Sequence, residues 1–152
     1  MRRVVTGLSG SRAVIVSDRV VAPLSFGTHG GSIVPVWPST EGGPNGFRVS
    51  ILNIPPSDDG EWDAFVMDRF GDDADSAQPG MHETPTTDVC FVVSGAVALQ
   101  LDGGDEVILQ AGDVVLQDRT RHRWVNRGAE MASIMAVLVE ASATVEEGRP
   151  TS

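Results

Sequence analysis

The chain has no lysine and no tyrosine, a single cysteine, Cys90, and only three histidines, His29, His82 and His122. Each shortage removes a class of chemistry. Without lysine no side-chain amine can form a Schiff base, and without tyrosine no phenol can act as acid or radical. One thiol excludes an internal disulfide and any paired-cysteine zinc site. Positive charge is also scarce: 11 arginines stand against 21 carboxylates, giving a net charge of −10. That balance weighs against nucleic acid or an anionic membrane as the main partner, because both demand a positive field. No run approaches the roughly 18 apolar residues of a membrane span. The opening MRRVVT has an apolar run too short for an export leader, so with its lone thiol the protein is expected in the cytoplasm.

What is present is one domain's worth of sequence, 152 residues of which 41% are hydrophobic. Helical periodicity is almost absent. Short runs rich in valine, isoleucine and leucine alternate with 17 glycines and 9 prolines, the pattern of an all-β protein. Strands are expected over residues 2–6, 12–18, 32–37, 47–54, 88–93, 96–101, 106–110, 114–117, 121–126 and 132–140. Hairpin signals at Ser94-Gly95, Asp102-Gly103-Gly104-Asp105 and Ala111-Gly112-Asp113 make the second half a meander. The expected organisation is a single domain over 1–152: N-terminal strands in 1–54, an acidic loop in 55–79, a motif-bearing barrel in 80–140, and a fraying polar tail in 144–152.

Eight of the acidic side chains crowd into 58–75 with Arg69 as their sole counter-charge. A solvated, mobile surface loop is the default reading, because a calcium loop needs carboxylates at alternate positions and a closing glutamate. The segment Trp62–Phe70 has enough apolar content for a helical turn, in which case Met67 and Phe70 would close a cavity as a lid.

Nucleophile elbows and phosphate-binding glycine loops are absent, which leaves two histidines. Alternation along an extended strand puts His82, Thr84, Thr86, Asp88, Cys90 and Val92 on one face, and Pro85 restrains Thr84 to extended geometry. Likewise His122, Trp124 and Asn126 share a face, leaving Arg121 and Arg123 outward, with Arg119 and Arg127 near the strand ends within reach of a pocket mouth. Gln117 ends an apolar strand and points its amide toward the interior. Cys90 reads first as a small buried hydrophobe, Trp124 as a pocket wall or plain core, and Arg48 as outward. His29 sits in a glycine loop without a register.

These residues resemble the motifs of the cupins, the small single-domain type-2 kind. The first cupin motif is matched by His82, Thr84, Asp88 and Gly95, with three and six residues in the last two intervals. The second is matched by Gly112, His122 and Asn126 with one residue deleted, so the resemblance runs from about Gly80 to Glu140. It implies a double-stranded β-helix, a jelly-roll barrel with a small-molecule pocket, and a homodimer. It also implies a degenerate metal site. Cupins usually offer three histidines and a glutamate, and here Thr84 replaces one histidine and Asp88 the glutamate. His82, Asp88 and His122 remain as ligands for a divalent Fe, Mn, Ni or Zn, and the same three are the catalytic candidates. Thr84, Cys90, Gln117 and Trp124 are the substrate-binding candidates.

The function this implies is a metal-assisted enzyme of lyase, decarboxylase, isomerase or dioxygenase type, acting on an oxygenated, aromatic or polyketide-like metabolite. The alternatives are a metal-free acid–base cupin, an isomerase or dehydratase, and a cupin that binds a small ligand without catalysis.

Overall fold

In the computed structural model, residues 1–37, 46–56, 60–70 and 77–140 are described, except for the side chain of Phe70. The elements run β1 (Arg2–Ser9), β2 (Arg12–Val20), β3 (Leu24–Phe26), β4 (Gly31–Trp37), β5 (Phe47–Ile54), α1 (Glu61–Phe70), β6 (Thr86–Ser94), β7 (Ala96–Leu101), β8 (Glu106–Gln110), β9 (Val114–Asp118), β10 (His122–Val125) and β11 (Ala132–Glu140). Six strands form one sheet in the order β3-β4-β5-β11-β6-β9, and a second has the order β10-β7-β8. β1 and β2 pair as a separate ribbon. The expected all-β class holds, and the expected strands recur with ends shifted by a few residues.

The core lies where the two sheets face one another. Ile54, Val92 and Ile134 from the large sheet meet Val97, Leu99, Leu109 and Trp124 from the small one. Ile54 and Ile134 are completely buried, which at about 25 cal/mol per Å² of apolar surface makes them leading contributors to stability. Register is continuous across this sheet. Arg48 pairs with Leu138, Leu138 with Asp88, and Asp88 with Gln117, so these four form one row on the inner face. The next inner row holds Ser50, Ala136, Cys90 and Val115. Beyond it the row is apolar, with Leu52, Ile134 and Val92.

The acidic segment needs correcting. Part of it is the ten-residue helix α1, not an irregular surface loop. Glu61 and Asp63 in its first turn and Arg69 in its last oppose the helix dipole favourably. Trp62, Phe65 and Val66 make a stripe at helical spacing, and Trp62 and Val66 are buried in the core. So short a stripe inside a carboxylate-rich run reads as noise until the barrel supplies the surface it packs on. The flanking carboxylates Asp58, Asp59, Asp72, Asp73 and Asp75 lie outside the described residues, as does the tail from 141.

Candidate active site

Between the two sheets and under α1 lies a cavity of about 150 Å³. Its lining includes every residue singled out in the sequence as ligand or substrate contact: His82, Thr84, Asp88, Cys90, Gln117, His122 and Trp124. Three strand segments deliver them, β9 supplying Gln117. The chain before β6 bridges to β10 through reciprocal backbone hydrogen bonds of 2.9 Å between His82 and His122. The same alternation then turns Thr84, Asp88 and Cys90 inward.

The two imidazoles stand side by side with ring centroids 4.4 Å apart. Nδ1 of His82 lies 3.0 Å from the Gly80 carbonyl, and Nδ1 of His122 2.9 Å from the Thr120 carbonyl. A carbonyl only accepts, so each Nδ1 carries the proton and donates it, leaving the lone pair on Nε2. Gly80 is required here for two reasons. Its φ of +83° is left-handed, and a Cβ would fall 2.2 Å from Asp63 Oδ1. Burial, with His122 as neighbour, pushes His82 down to about 4, and burial lowers His122 as well. Both rings are neutral at pH 7.

Asp88 is buried, and desolvation raises its pKa against two hydrogen bonds that oppose the rise. The Thr86 hydroxyl donates to Oδ1 at 2.5 Å and the Thr84 hydroxyl to Oδ2 at 3.0 Å. Thr84, which stands where a metal-binding cupin has a histidine, thus serves to orient the carboxylate. Cys90 donates weakly to Gln117 Oε1 at 3.5 Å, and burial pushes its thiol up to about 12. It is inert at neutral pH. Trp124 meets the His122 ring at 76° and a centroid distance of 6.1 Å, as a wall of the site.

Two imidazoles sharing one ion at about 2.1 Å per nitrogen place their centroids roughly 4.5 Å apart in a cis arrangement. The histidine pair fits that, with each ring oriented by a carbonyl in the usual manner of metal-bound histidine. The carboxylate is held by its threonines, and among the described residues no group of three His, Cys, Asp or Glu side chains is gathered closely enough to grip an ion. The side chains that would hold an ion are the two histidines, with Asp88 on the same cavity wall.

Other placements differ from expectation. Arg48 lines the cavity, contrary to the outward position expected. Both faces of β5 are half-buried, so apolar Val49 and Ile51 do not mark the inner one. Arg123 turns out of the cavity but pairs with Asp63, joining β10 to α1. Arg119 lies beside Asp118, and Arg127 pairs with Glu106, so neither reaches the cavity mouth. Met67 does not line the cavity, whereas Phe65 and Val66 do. Phe70's expected role falls outside the described side chains. Asn126 shares the inner face but is structural, its Nδ2 donating to the Ile54 and Glu130 carbonyls. His29, left without a register, sits beside Glu61 on the rim.

Residues 72–138 match the family model described as a cupin domain, and the fold agrees. The matched region is a type-2 cupin domain. Its barrel superposes on a predicted oxalate decarboxylase from Thermotoga maritima with a TM-score of 0.55 at 19% identity, covering 80% of this chain and 94% of that one. An RmlC-like cupin from Shewanella frigidimarina gives 0.51 at 14% identity, covering 81% and 86%. Among curated relatives, this cupin is 28% identical over 111 residues to Oryzines biosynthesis cluster protein J of Aspergillus oryzae, covering 69% of this chain and 58% of the relative. It is 32% identical over 81 residues to the cupin-domain-containing oxidoreductase srdD of Neurospora crassa, covering 51% and 41%. The cupin thus spans roughly half the length of these relatives.

Proposed function

We propose that this cupin is an enzyme that transforms a small oxygenated metabolite in the cavity under α1, with a divalent metal held by His82, His122 and Asp88. The observation that carries this reading is the histidine pair, two neutral buried rings whose Nδ1 protons are both committed to backbone carbonyls. When bound, the metal supplies Lewis-acid polarisation of a substrate carbonyl or enolate oxygen. The protein's own groups do the rest. Thr84 and Thr86 fix the carboxylate of Asp88, Trp124 walls the site, and Gln117 presents an amide donor to the substrate. Relatives named for a biosynthesis cluster and as an oxidoreductase support a small metabolite as substrate, and the aromatic or polyketide type is our reading of a pocket walled by Trp62, Phe65 and Trp124. Lyase, decarboxylase, isomerase and dioxygenase chemistry all suit the arrangement.

Elemental analysis of untagged protein purified without chelator tests this. Near-stoichiometric metal in the wild type, lost in His122→Ala with the β-sheet circular dichroism retained, is the expected result. Trace metal together with no uptake on titration overturns it. A second reading is favoured by the two threonine hydrogen bonds that occupy Asp88. In it His122 or His82 takes a substrate proton at Nε2 and Asp88 orients the ring or the substrate, giving turnover insensitive to chelator.

The working unit we propose is a homodimer. Among the described residues the β1–β2 ribbon pairs with no other strand, and it exposes Val4, Leu8, Ile15, Val16 and Val20. A two-stranded ribbon is marginal alone, and a second copy would cover those side chains. Light scattering on the eluting protein should return twice the chain mass, and Ile15→Asp should return the monomer. A wild-type monomer at micromolar concentration overturns it.

A further inference from the structure

The cavity wall contains two N–H donors that find no acceptor among the described residues. Gln117 Nε2 and Trp62 Nε1 make no hydrogen bond there, although their residues are only 4% and 5% exposed. Native proteins rarely leave such groups unpaired, because each buried donor without a partner costs about 1–3 kcal/mol. Both residues line the cavity, one from β9 on the sheet side and the other from α1 on the helical side.

Charge adds a third element. Arg48 lines the same cavity on the row that also carries Asp88 and Gln117. Leu138 stands between Arg48 and Asp88 in that row, which sets their backbones about 10 Å apart at the ordinary strand spacing. Among the described residues no carboxylate forms an ion pair with Arg48. A protein with a net charge of −10 thus lines its own cavity with two arginines, Arg48 on the sheet and Arg69 on α1. Size and polarity complete the specification. About 150 Å³ is the volume of a cavity that holds one benzene-sized ring. The inner rows pass from Arg48, Asp88 and Gln117 through Ser50 and Cys90 to Leu52, Ile134 and Val92, with Trp62 and Phe65 on the helical side.

We propose that the cavity binds a small oxygenated carboxylic acid of single-ring size as its carboxylate, charge toward Arg48, with its oxygens accepting from Gln117 Nε2 and Trp62 Nε1. The apolar body of the acid lies against Leu52, Phe65 and Trp62. Arg48 is a binding residue in this scheme, and the acceptor-rich ligand satisfies the donors that find no acceptor among the described residues. This names the ligand class of the pocket on which the proposed function rests, and it does not depend on how the metal question is answered.

The test uses chelator-treated, full-length protein and three matched pairs of probes: benzoate and benzamide, 2-hydroxybenzoate and 2-hydroxybenzamide, hexanoate and hexanamide. Each pair differs in charge with little change in shape. Calorimetric titration should show the aromatic acids binding at least about tenfold more tightly than their amides, the range of a charge-assisted hydrogen bond. In Arg48→Gln the acid-to-amide ratio should fall to near one, and in Arg48→Lys it should partly return. Gln117→Leu should weaken 2-hydroxybenzoate more than hexanoate. Circular dichroism and the ligand-free melting temperature confirm that each variant is folded. Amides that bind as well as acids, or an acid preference that survives Arg48→Gln in a folded variant, overturn the proposal. Acid preference in protein that takes up no metal overturns the metal reading alone. Stoichiometric metal with no acid preference overturns this proposal alone.

Discussion

The large sheet walls the cavity on one side and α1 on another, and the two walls are held by different kinds of interaction. The sheet wall is a ladder. β5 pairs with β11 over eight successive residues from Phe47–Val139 to Ile54–Ala132, and β6 and β9 continue the register to Gln117. A slip of one residue would turn Arg48, Asp88 and Cys90 to the opposite face together, so the side chains needing fixed mutual geometry sit where slippage costs most. The helical wall is held, among the described residues, through its side chains. Phe65 stacks on Phe26 at 4.0 Å, and Trp62 lies against the same ring at 5.6 Å. Polar ties add to this. Glu61 accepts from the Thr28 amide at 2.7 Å and its hydroxyl at 2.8 Å, and Asp63 pairs with Arg123. A wall of that kind can release without unfolding the other, which would widen access to the cavity.

Four measurements would break or sharpen this contrast. The largest effect is expected in the ladder: Ile134→Ala, at a completely buried position, should cost about 2–5 kcal/mol in global stability by denaturant unfolding. Trp62→Ala should act locally instead. Hydrogen exchange should show α1 amides losing protection by about tenfold or more while β6 and β11 keep theirs. Equal losses in both regions would mean that the helix and the ladder form one cooperative unit.

Acid should separate the walls in pH. His82 is held at about 4 in the fold against 6.5 unfolded, so the unfolded chain binds the extra proton and stability falls as pH drops from 6.5 toward 4. Glu61 is held at about 2 against 4.5, chiefly by the Thr28 hydrogen bonds. Its contribution is complete above 4.5 and is lost as pH falls toward 2. Melting temperature against pH should therefore fall in two stages, and Glu61→Gln should remove the lower one. The smallest effect belongs to Arg123→Ala, about 1 kcal/mol for a partly buried pair whose side chains are 29% and 14% exposed, read by the same unfolding curve.

The ladder was legible in the sequence, whereas the helix showed only as a helical turn over Trp62–Phe70 set beside the default of a surface loop, for a physical reason. His82, Asp88, Cys90, Gln117, His122 and Trp124 lie on strands or at their ends, where period-two alternation places each side chain from local information alone. Arg48 escaped because both faces of its strand are half-buried, and choosing between them needs the neighbours β4 and β11. Trp62 and Phe65 escaped because their burial depends on Phe26, more than thirty residues earlier, and on a sheet surface that no local pattern announces. The asymmetry also explains why the cupin motifs located the histidines and not the Arg48 and Trp62 wall.

Cys90 offers a clock for these motions. Its thiol lies on the cavity wall, almost wholly buried and with ionisation pushed up to about 12, so closed protein has neither the thiolate nor the access that alkylation requires. With no second cysteine in the chain, every molecule of iodoacetamide incorporated by folded protein counts an exposure of this one sulfur. The rate of that labelling, compared with unfolded chain and with a bound acid present or absent, measures how often the cavity is uncovered and for how long.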